Sequence, residues 1–195
     1  MVDLREEPAL RFVGASAANG LCTITERRGL CLTRLIAVRG REAVLPRLLG
    51  HELPGPPGTS RAVGGGAVFS LAPRDWLVVR HDPDGRRGGF AVDLRRHLDG
   101  VALAIDQSHA RVVLRLTGPI TRRLLQKGID IDLHPEMLGP GAVAQTAIVG
   151  MAVLVHAVAE TTIDLYGFRS YSESLLDWLL EAGQEWKIVM EAPGA

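Results

Sequence analysis

Asp106-Gln107-Ser108-His109 carries, in four consecutive residues, the groups of a hydrolytic triad: an acid, a hydroxyl and an imidazole. The spacing argues against that chemistry. Neighbours on a strand point to opposite faces and do not converge on one substrate atom. No G-x-S-x-G elbow is present. The four residues read instead as a turn between two strands, with Asp106 and Ser108 bonding nearby backbone N–H groups.

Six histidines, His51, His81, His97, His109, His134 and His156, are the candidate metal ligands. No two stand at i, i+4, and there is no H-E-x-x-H. His134 precedes Pro135 in a loop, and His156 sits on an apolar strand, where a hydrogen-bonded, partly buried imidazole is the expected role. Cys22 and Cys31 are not spaced as C-x-x-C and complete no zinc quartet. Gly64-Gly65-Gly66 opens onto a strand, whereas a phosphate cradle needs a helix N-terminus after its glycines. On the residues alone, no catalytic, cofactor-binding or metal residue is assigned. The stretch Arg169-Ser170-Tyr171-Ser172-Glu173-Ser174 reads as a capping box, with Ser170 at the N-cap and Glu173 three residues on. Arg169 and Tyr171, just outside that helix, are the candidate partner-interface residues.

Bulk properties narrow the function classes. The chain has 195 residues, 47% of them hydrophobic, and its 22 Lys+Arg balance 22 Asp+Glu. A neutral surface offers no general attraction to nucleic-acid phosphates or anionic lipid, so neither nucleic acid nor membrane is an expected partner. Lys127 and Lys187 are the only lysines among those 22 cations. The rest are arginines, whose forked donors suit carboxylates and protein interfaces. The first seven residues lack the apolar stretch of a secretory leader. No apolar run approaches the ~20 residues that span a bilayer. These features point to the cytoplasm, with reduced thiols.

The elements follow from periodicity. Residues 1–29 are weakly patterned and read as an N-terminal arm. Leu30 to Val38 is a strand, and Arg41 to Leu49 has helical spacing closed by Gly50. Residues 54–66 read as a Gly/Pro-rich loop. Ala67–Leu71 and Trp76–Arg80 form a hairpin around Ala72-Pro73-Arg74-Asp75. A helix over Phe90 to Leu98 and a strand at Val101–Ile105 complete a β-α-β-β-α-β unit. The second half repeats the order with one extra strand. Its strand at Ala110–Leu116 is followed by a helix from Gly118 to Gly128 and by strands at Ala144–Val149, Met151–Val158 and Thr161–Tyr166. A helix over Ser170–Gly183 and a strand at Trp186–Met190 close it. The fold class is therefore α+β, built from duplicated ferredoxin-like units at residues 30–107 and 108–195 within a single domain. Each sheet in such a unit has one bare face, and two copies can cover each other.

Asp106-Gln107-Ser108-His109-Ala110-Arg111-Val112-Val113-Leu114-Arg115-Leu116-Thr117-Gly118-Pro119, then Leu124 to Gly128 and Asp132-Leu133-His134-Pro135, resembles the central signature of the sarcosine oxidase gamma subunit family. Ala144-Gln145-Thr146, Asp164-Leu165-Tyr166, Arg169-Ser170-Tyr171, Leu175, Trp178 and Leu179 resemble its C-terminal signature. The family is distantly similar to the aminomethyltransferase (T-protein) folate-binding folds, which implies a T-protein-like architecture. The resemblance further implies a heterotetramer with alpha, beta and delta subunits. That assembly oxidatively demethylates sarcosine, with tetrahydrofolate as the one-carbon acceptor. FAD, FMN, NAD and tetrahydrofolate belong, by the resemblance, to the partner subunits. The N-methylglutamate dehydrogenase complex has a similar small subunit and is an alternative. A free-standing folate-binding or aminomethyltransferase-like protein is another. No counterpart of the aminomethyltransferase's catalytic acidic segment is found, so a noncatalytic, assembly role is expected for this chain.

Overall fold

Leu10, residues 21–82 and residues 87–191 are described by the computed structural model. Strand β1 is Cys22–Glu26 and β2 is Leu30–Ala37. A 3-10 turn at Glu42–Val44 leads into α1, Leu45–Leu49. Then come β3 (Ser60–Val63), β4 (Gly66–Ala72), β5 (Asp75–His81), α2 (Arg87–His97) and β6 (Ala102–Asp106). The second half runs β7 (Arg111–Thr117), α3 (Thr121–Leu125), β8 (Val143–Ile148), β9 (Met151–Ala159) and β10 (Thr162–Phe168). It ends with α4 (Ser172–Ala182) and β11 (Ile188–Glu191).

Two sheets result, ordered β3-β4-β5-β2-β6 and β8-β9-β10-β7-β1-β11. Written this way they correspond strand for strand, except for β1. The fold is α+β. Each half runs β-α-β-β-α-β with one added strand ahead of its central hairpin, and β2 and β7 hold equivalent places. β1 is inserted between β7 and β11, antiparallel to the first and parallel to the second.

Alternation explains the layering, because successive strand residues face opposite sides. On β2, Leu35 and Ala37 pack with Trp76, Val78, Leu45, Leu94 and Leu98 under the helices of the first half. Leu30 and Leu32 point the other way and meet Phe69, Leu77 and Val79. That cluster also takes in Val113, Leu154 and Tyr166 from the second sheet, so the two bare faces bury each other. On the far side, Leu114, Leu116 and Ile163 pack against α3 and α4 through Leu124, Leu175 and Leu179. The layers are helix, sheet, sheet, helix.

The sequence reading and the structure differ in the strand and helix assignments at three places. Residues 22–26, within the segment read as an arm, form β1. Its buried Cys22 and Ile24 alternate with half-buried Thr23 and Thr25. This period-2 pattern is too short to stand out alone. Gly118 carries the clearer signal. Its φ is +143°, and an added Cβ would lie 2.2 Å from the Leu21 carbonyl oxygen, so only glycine lets β1 pass. The second difference is β3, an edge strand inside the segment read as loop. Gly64 and Gly65, both at positive φ, turn it into β4, which is the backbone demanded by a tight hairpin. The third concerns the helices after β2 and β7. They have only five residues each, the first with Pro46 in its opening turn and Gly50 as its left-handed C-cap.

Ile24 is 1% exposed, and its strand bridges β7 and β11. Ile24→Ala should destabilise the protein by roughly 2–5 kcal/mol in a urea titration. Amide exchange should accelerate at Ile188–Glu191, the parallel partner of β1. Unchanged protection there would contradict the pairing.

Candidate functional site

Three polar side chains stand side by side on the inner face of the second sheet. Arg115 on β7 lies opposite Asp164 on β10, and Asp164 lies opposite His156 on β9. They share the face of Val113, Leu154 and Tyr166, which pack against the first sheet. Arg115 grips Asp164 with both ends of its fork, Nε to Oδ1 at 2.7 Å and Nη2 to Oδ2 at 2.8 Å. Arg27, in the turn after β1, adds a longer contact to Oδ2 at 3.4 Å. Asp164 is 1% exposed. A carboxylate that far from water persists because it is held bidentately by a cation. The same hydrogen bonds, working against burial, raise the Arg115 pKa.

His156 completes the row. Its Nε2 lies 3.3 Å from Ser60 Oγ, across the gap on β3. Ser60 donates its own proton to the Gly141 carbonyl at 2.7 Å. Nε2 therefore carries the proton that Ser60 accepts, and Nδ1 is the bare acceptor. Nδ1 is buried and has no hydrogen-bond partner among the described residues. The ring packs on Phe69, centroids 4.6 Å apart. Burial pushes the imidazole pKa down. Asp164 pulls it back, while Arg115 and Arg27 add to the depression. Tyr166, against Phe69 edge-on, has its phenol pushed up, first by burial and then by Asp164.

A cavity of ≈ 290 Å³ opens between the sheets beside Arg27, Arg115, His156 and Asp164. Ser60, His156 and Asp164 are the residue types of a triad, but their bonds run otherwise. A general-base histidine needs an acceptor at its second nitrogen and a hydroxyl that donates to the first. Here Nδ1 reaches no acceptor, the Asp164 oxygens are held by guanidinium groups, and the Ser60 proton goes to a backbone carbonyl. The geometry supports a polar clasp between two sheets. No sequence motif marks it, because Arg115, His156 and Asp164 are 41 and 8 residues apart in sequence and only strand pairing aligns them.

Asp106-Gln107-Ser108-His109 behaves as a turn. Asp106 Oδ1 accepts from Ser108 N at 2.9 Å and from Ser108 Oγ at 2.6 Å. Ser108 Oγ accepts in turn from Leu32 N at 3.0 Å, tying the turn between the halves to β2. Among the described residues, no group of three or more His, Cys, Asp or Glu side chains is placed to hold a metal. No helix described is long and apolar enough to cross a membrane.

Arg169 and Tyr171 lie away from the row, in a 3-10 turn between β10 and α4. The Arg169 amide donates to the Ala110 carbonyl. The Tyr171 hydroxyl donates to the Ala152 carbonyl, and its ring meets Phe168 edge-on at 5.9 Å. The expected capping box does not form. The 3-10 turn delays the helix, so Tyr171 occupies the N-cap without a side-chain bond. Ser170 falls inside the turn, and Ser172 Oγ donates back to the Arg169 carbonyl at 3.0 Å.

Comparison with known proteins places this architecture. The family model described as sarcosine oxidase, gamma subunit family, matches residues 38–185. The chain belongs to the sarcosine oxidase gamma subunit family. Sarcosine oxidase subunit gamma from Corynebacterium sp. (strain P-1) is 28% identical over 190 residues, covering 94% of this chain and 92% of the relative. The subunit gamma from Arthrobacter sp. is 29% identical with the same coverage. Among solved structures, a chain of heterotetrameric sarcosine oxidase from Corynebacterium sp. U-96, in complex with pyrrole 2-carboxylate, superposes with a TM-score of 0.77 at 27% identity. The match covers 91% of this chain and 90% of that one. Aminomethyltransferase T from Bartonella henselae shares the fold, with a TM-score of 0.64 at 15% identity. There the match covers 90% of this chain but only 48% of the larger protein.

Two measurements check the clasp. Asp164→Ala strands Arg115 without its anion and should cost about 3 kcal/mol of stability. The acid limb of stability should also depend on His156. Its folded pKa lies below the ordinary 6.5, so the neutral ring is preferred in the folded state. That contribution is present above pH ~6.5 and is lost as pH falls, because the unfolded chain binds the proton first. His156→Gln should flatten the stability–pH profile below about pH 6.5. An unchanged profile would assign the acid sensitivity to other groups.

Proposed function

We propose that this chain is the gamma subunit of a heterotetrameric sarcosine oxidase and serves its assembly, with the redox chemistry carried by its partners. The observation that carries the reading is mutual coverage. The chain and a chain of the solved heterotetrameric enzyme overlap over nine-tenths of each, at a TM-score of 0.77. The polar groups inside the molecule favour a structural role. Asp106, Ser108, Arg115 and Asp164 are all engaged in holding strands together.

In this reading the partners are alpha, beta and delta subunits in the cytoplasm. They hold FAD, FMN and NAD and pass the methyl carbon of sarcosine to tetrahydrofolate. Arg169 and Tyr171 contribute to the contact with them. The related reading, a subunit of an N-methylglutamate dehydrogenase, differs in the amine the assembled complex oxidises. The free-standing folate-binding reading differs in needing no partner at all.

Co-expression with the large flavoprotein subunits of a sarcosine oxidase decides among these. The expected outcome is a complex that survives gel filtration and oxidises sarcosine in preference to N-methylglutamate. The isolated chain should show no visible flavin absorbance and no tetrahydrofolate binding. Arg169→Glu should weaken the complex while leaving the far-UV circular dichroism unchanged. A chain that elutes alone beside its candidate partners and binds tetrahydrofolate by itself would replace the subunit reading with the folate-binding one.

A further inference from the structure

The inner face of the first sheet is buried under the second sheet along β4, β5 and the start of β2, but not at its β6 edge. On β6, Ala102 and Ala104 face the helices, so Leu103 and Ile105 face the opposite way. They are 53% and 36% exposed. Their cross-strand neighbours are Ile36 and Arg34, and Val38 just beyond β2 is 49% exposed. β6 is an edge strand. Edge strands in water are normally blunted by charge, and a contiguous exposed apolar face marks an interaction site.

Beside this strip stands Arg111, the first residue of β7. Burial lowers its pKa, Tyr171 opposes that shift, and Arg34 adds to it. Its guanidinium carbon lies 4.6 Å from the centre of the Phe168 ring, itself 38% exposed. Nε donates to Gln107 Oε1 at 3.1 Å, and Nη1 to the Tyr166 carbonyl at 3.3 Å. Arg111 makes no ion pair among the described residues. Arg34 nearby is matched by Asp75 at 2.5 Å, and Arg115 on the same strand by Asp164. Among the described residues, Arg111 alone of the three has no acid. A half-buried cation without an anion is costly, and the cost is recovered when a partner supplies one.

We infer that this face, with Leu103, Ile105, Arg111 and Phe168 at its centre, is where a large partner subunit docks. The partner presents an Asp or Glu carboxylate to Arg111, flanked by apolar side chains that cover the β6 strip. The inference rests on the subunit reading and adds the surface and the chemistry of the partner. The charge balance argues for this occupant over a second copy of the chain, whose same face would bring another unmatched arginine to a two-fold contact.

The test is co-expression with the large subunits, with retention measured by gel filtration and pull-down. Leu103→Asp changes an exposed position and should leave the circular dichroism intact while weakening retention about tenfold or more. Arg111→Glu should weaken it similarly, and Arg111→Lys should keep part of it. Met137→Asp, at a site 69% exposed and off this strip, should bind as the unaltered chain does. Amides of Leu103 to Asp106 should gain exchange protection in the complex. If the unaltered chain is retained and both Leu103→Asp and Arg111→Glu are retained equally well, the surface is misassigned and the subunit reading stands. If the unaltered chain is not retained, both fail. If Leu103→Asp instead converts a homodimer to monomers, the occupant is a second copy and the inference is overturned.

Discussion

Each sheet of this protein has helices on one face only, and the other face cannot be left in water. That constraint organises the rest. Leu30, Leu32, Phe69, Leu77 and Val79 on one sheet need Val113, Leu154 and Tyr166 on the other. Neither half hides its inner face alone, and this gives the duplication a physical purpose. The isolated β-bridge between Thr59 and Ala142 stitches the sheets along one side. Ser108, bonded to Leu32 N, stitches them at the connection between the halves.

Placing charge in such an interface is expensive, yet Arg115, Asp164 and His156 stand there in a row. The cost is met by the two-pronged bond from Arg115 and by Arg27 reaching in from the turn after β1. The arrangement specifies register. Slipping β10 by one residue would turn Asp164 into the apolar cluster under α3 and α4 and separate it from both arginines. The row thus selects one alignment of β7, β10 and β9, a role that apolar residues of similar size perform less sharply. It also makes the inter-sheet contact sensitive to acid through His156, whose burial disfavours the charged ring.

The inserted strand β1 makes the two halves unequal. By wedging between β7 and β11 it widens the second sheet to six strands against five. It also carries Arg27 to Asp164. Among the described residues the first sheet has no such addition, and Leu103 and Ile105 are exposed on its edge strand β6. The counterpart strands β11 and β6 are both edges, so the halves differ in the inserted strand and not in whether that edge is open.

Much of this was legible in the residues. The alternation of β2, β4, β5, β7, β9 and β10, the helical spacing of Leu175, Leu176 and Leu179, and the shared order of the halves required only local periodicity. The turn role of Asp106 and Ser108 followed from their adjacency. The family likeness rested on an ordered series of short motifs. What stayed hidden depended on distance in the chain. β1 was hidden because its partners lie about 90 and 165 residues away and five alternating residues are a weak signal on their own. The start of α4 was misplaced because a 3-10 turn and a capping box draw on the same residue types, and only the backbone distinguishes them. The row of Arg115, Asp164 and His156, and the unmatched Arg111, could not be read at all. Periodicity tells which face of a strand a side chain takes, but which strands lie side by side is decided by long-range pairing. Whether a charge meets its counter-charge is settled only there.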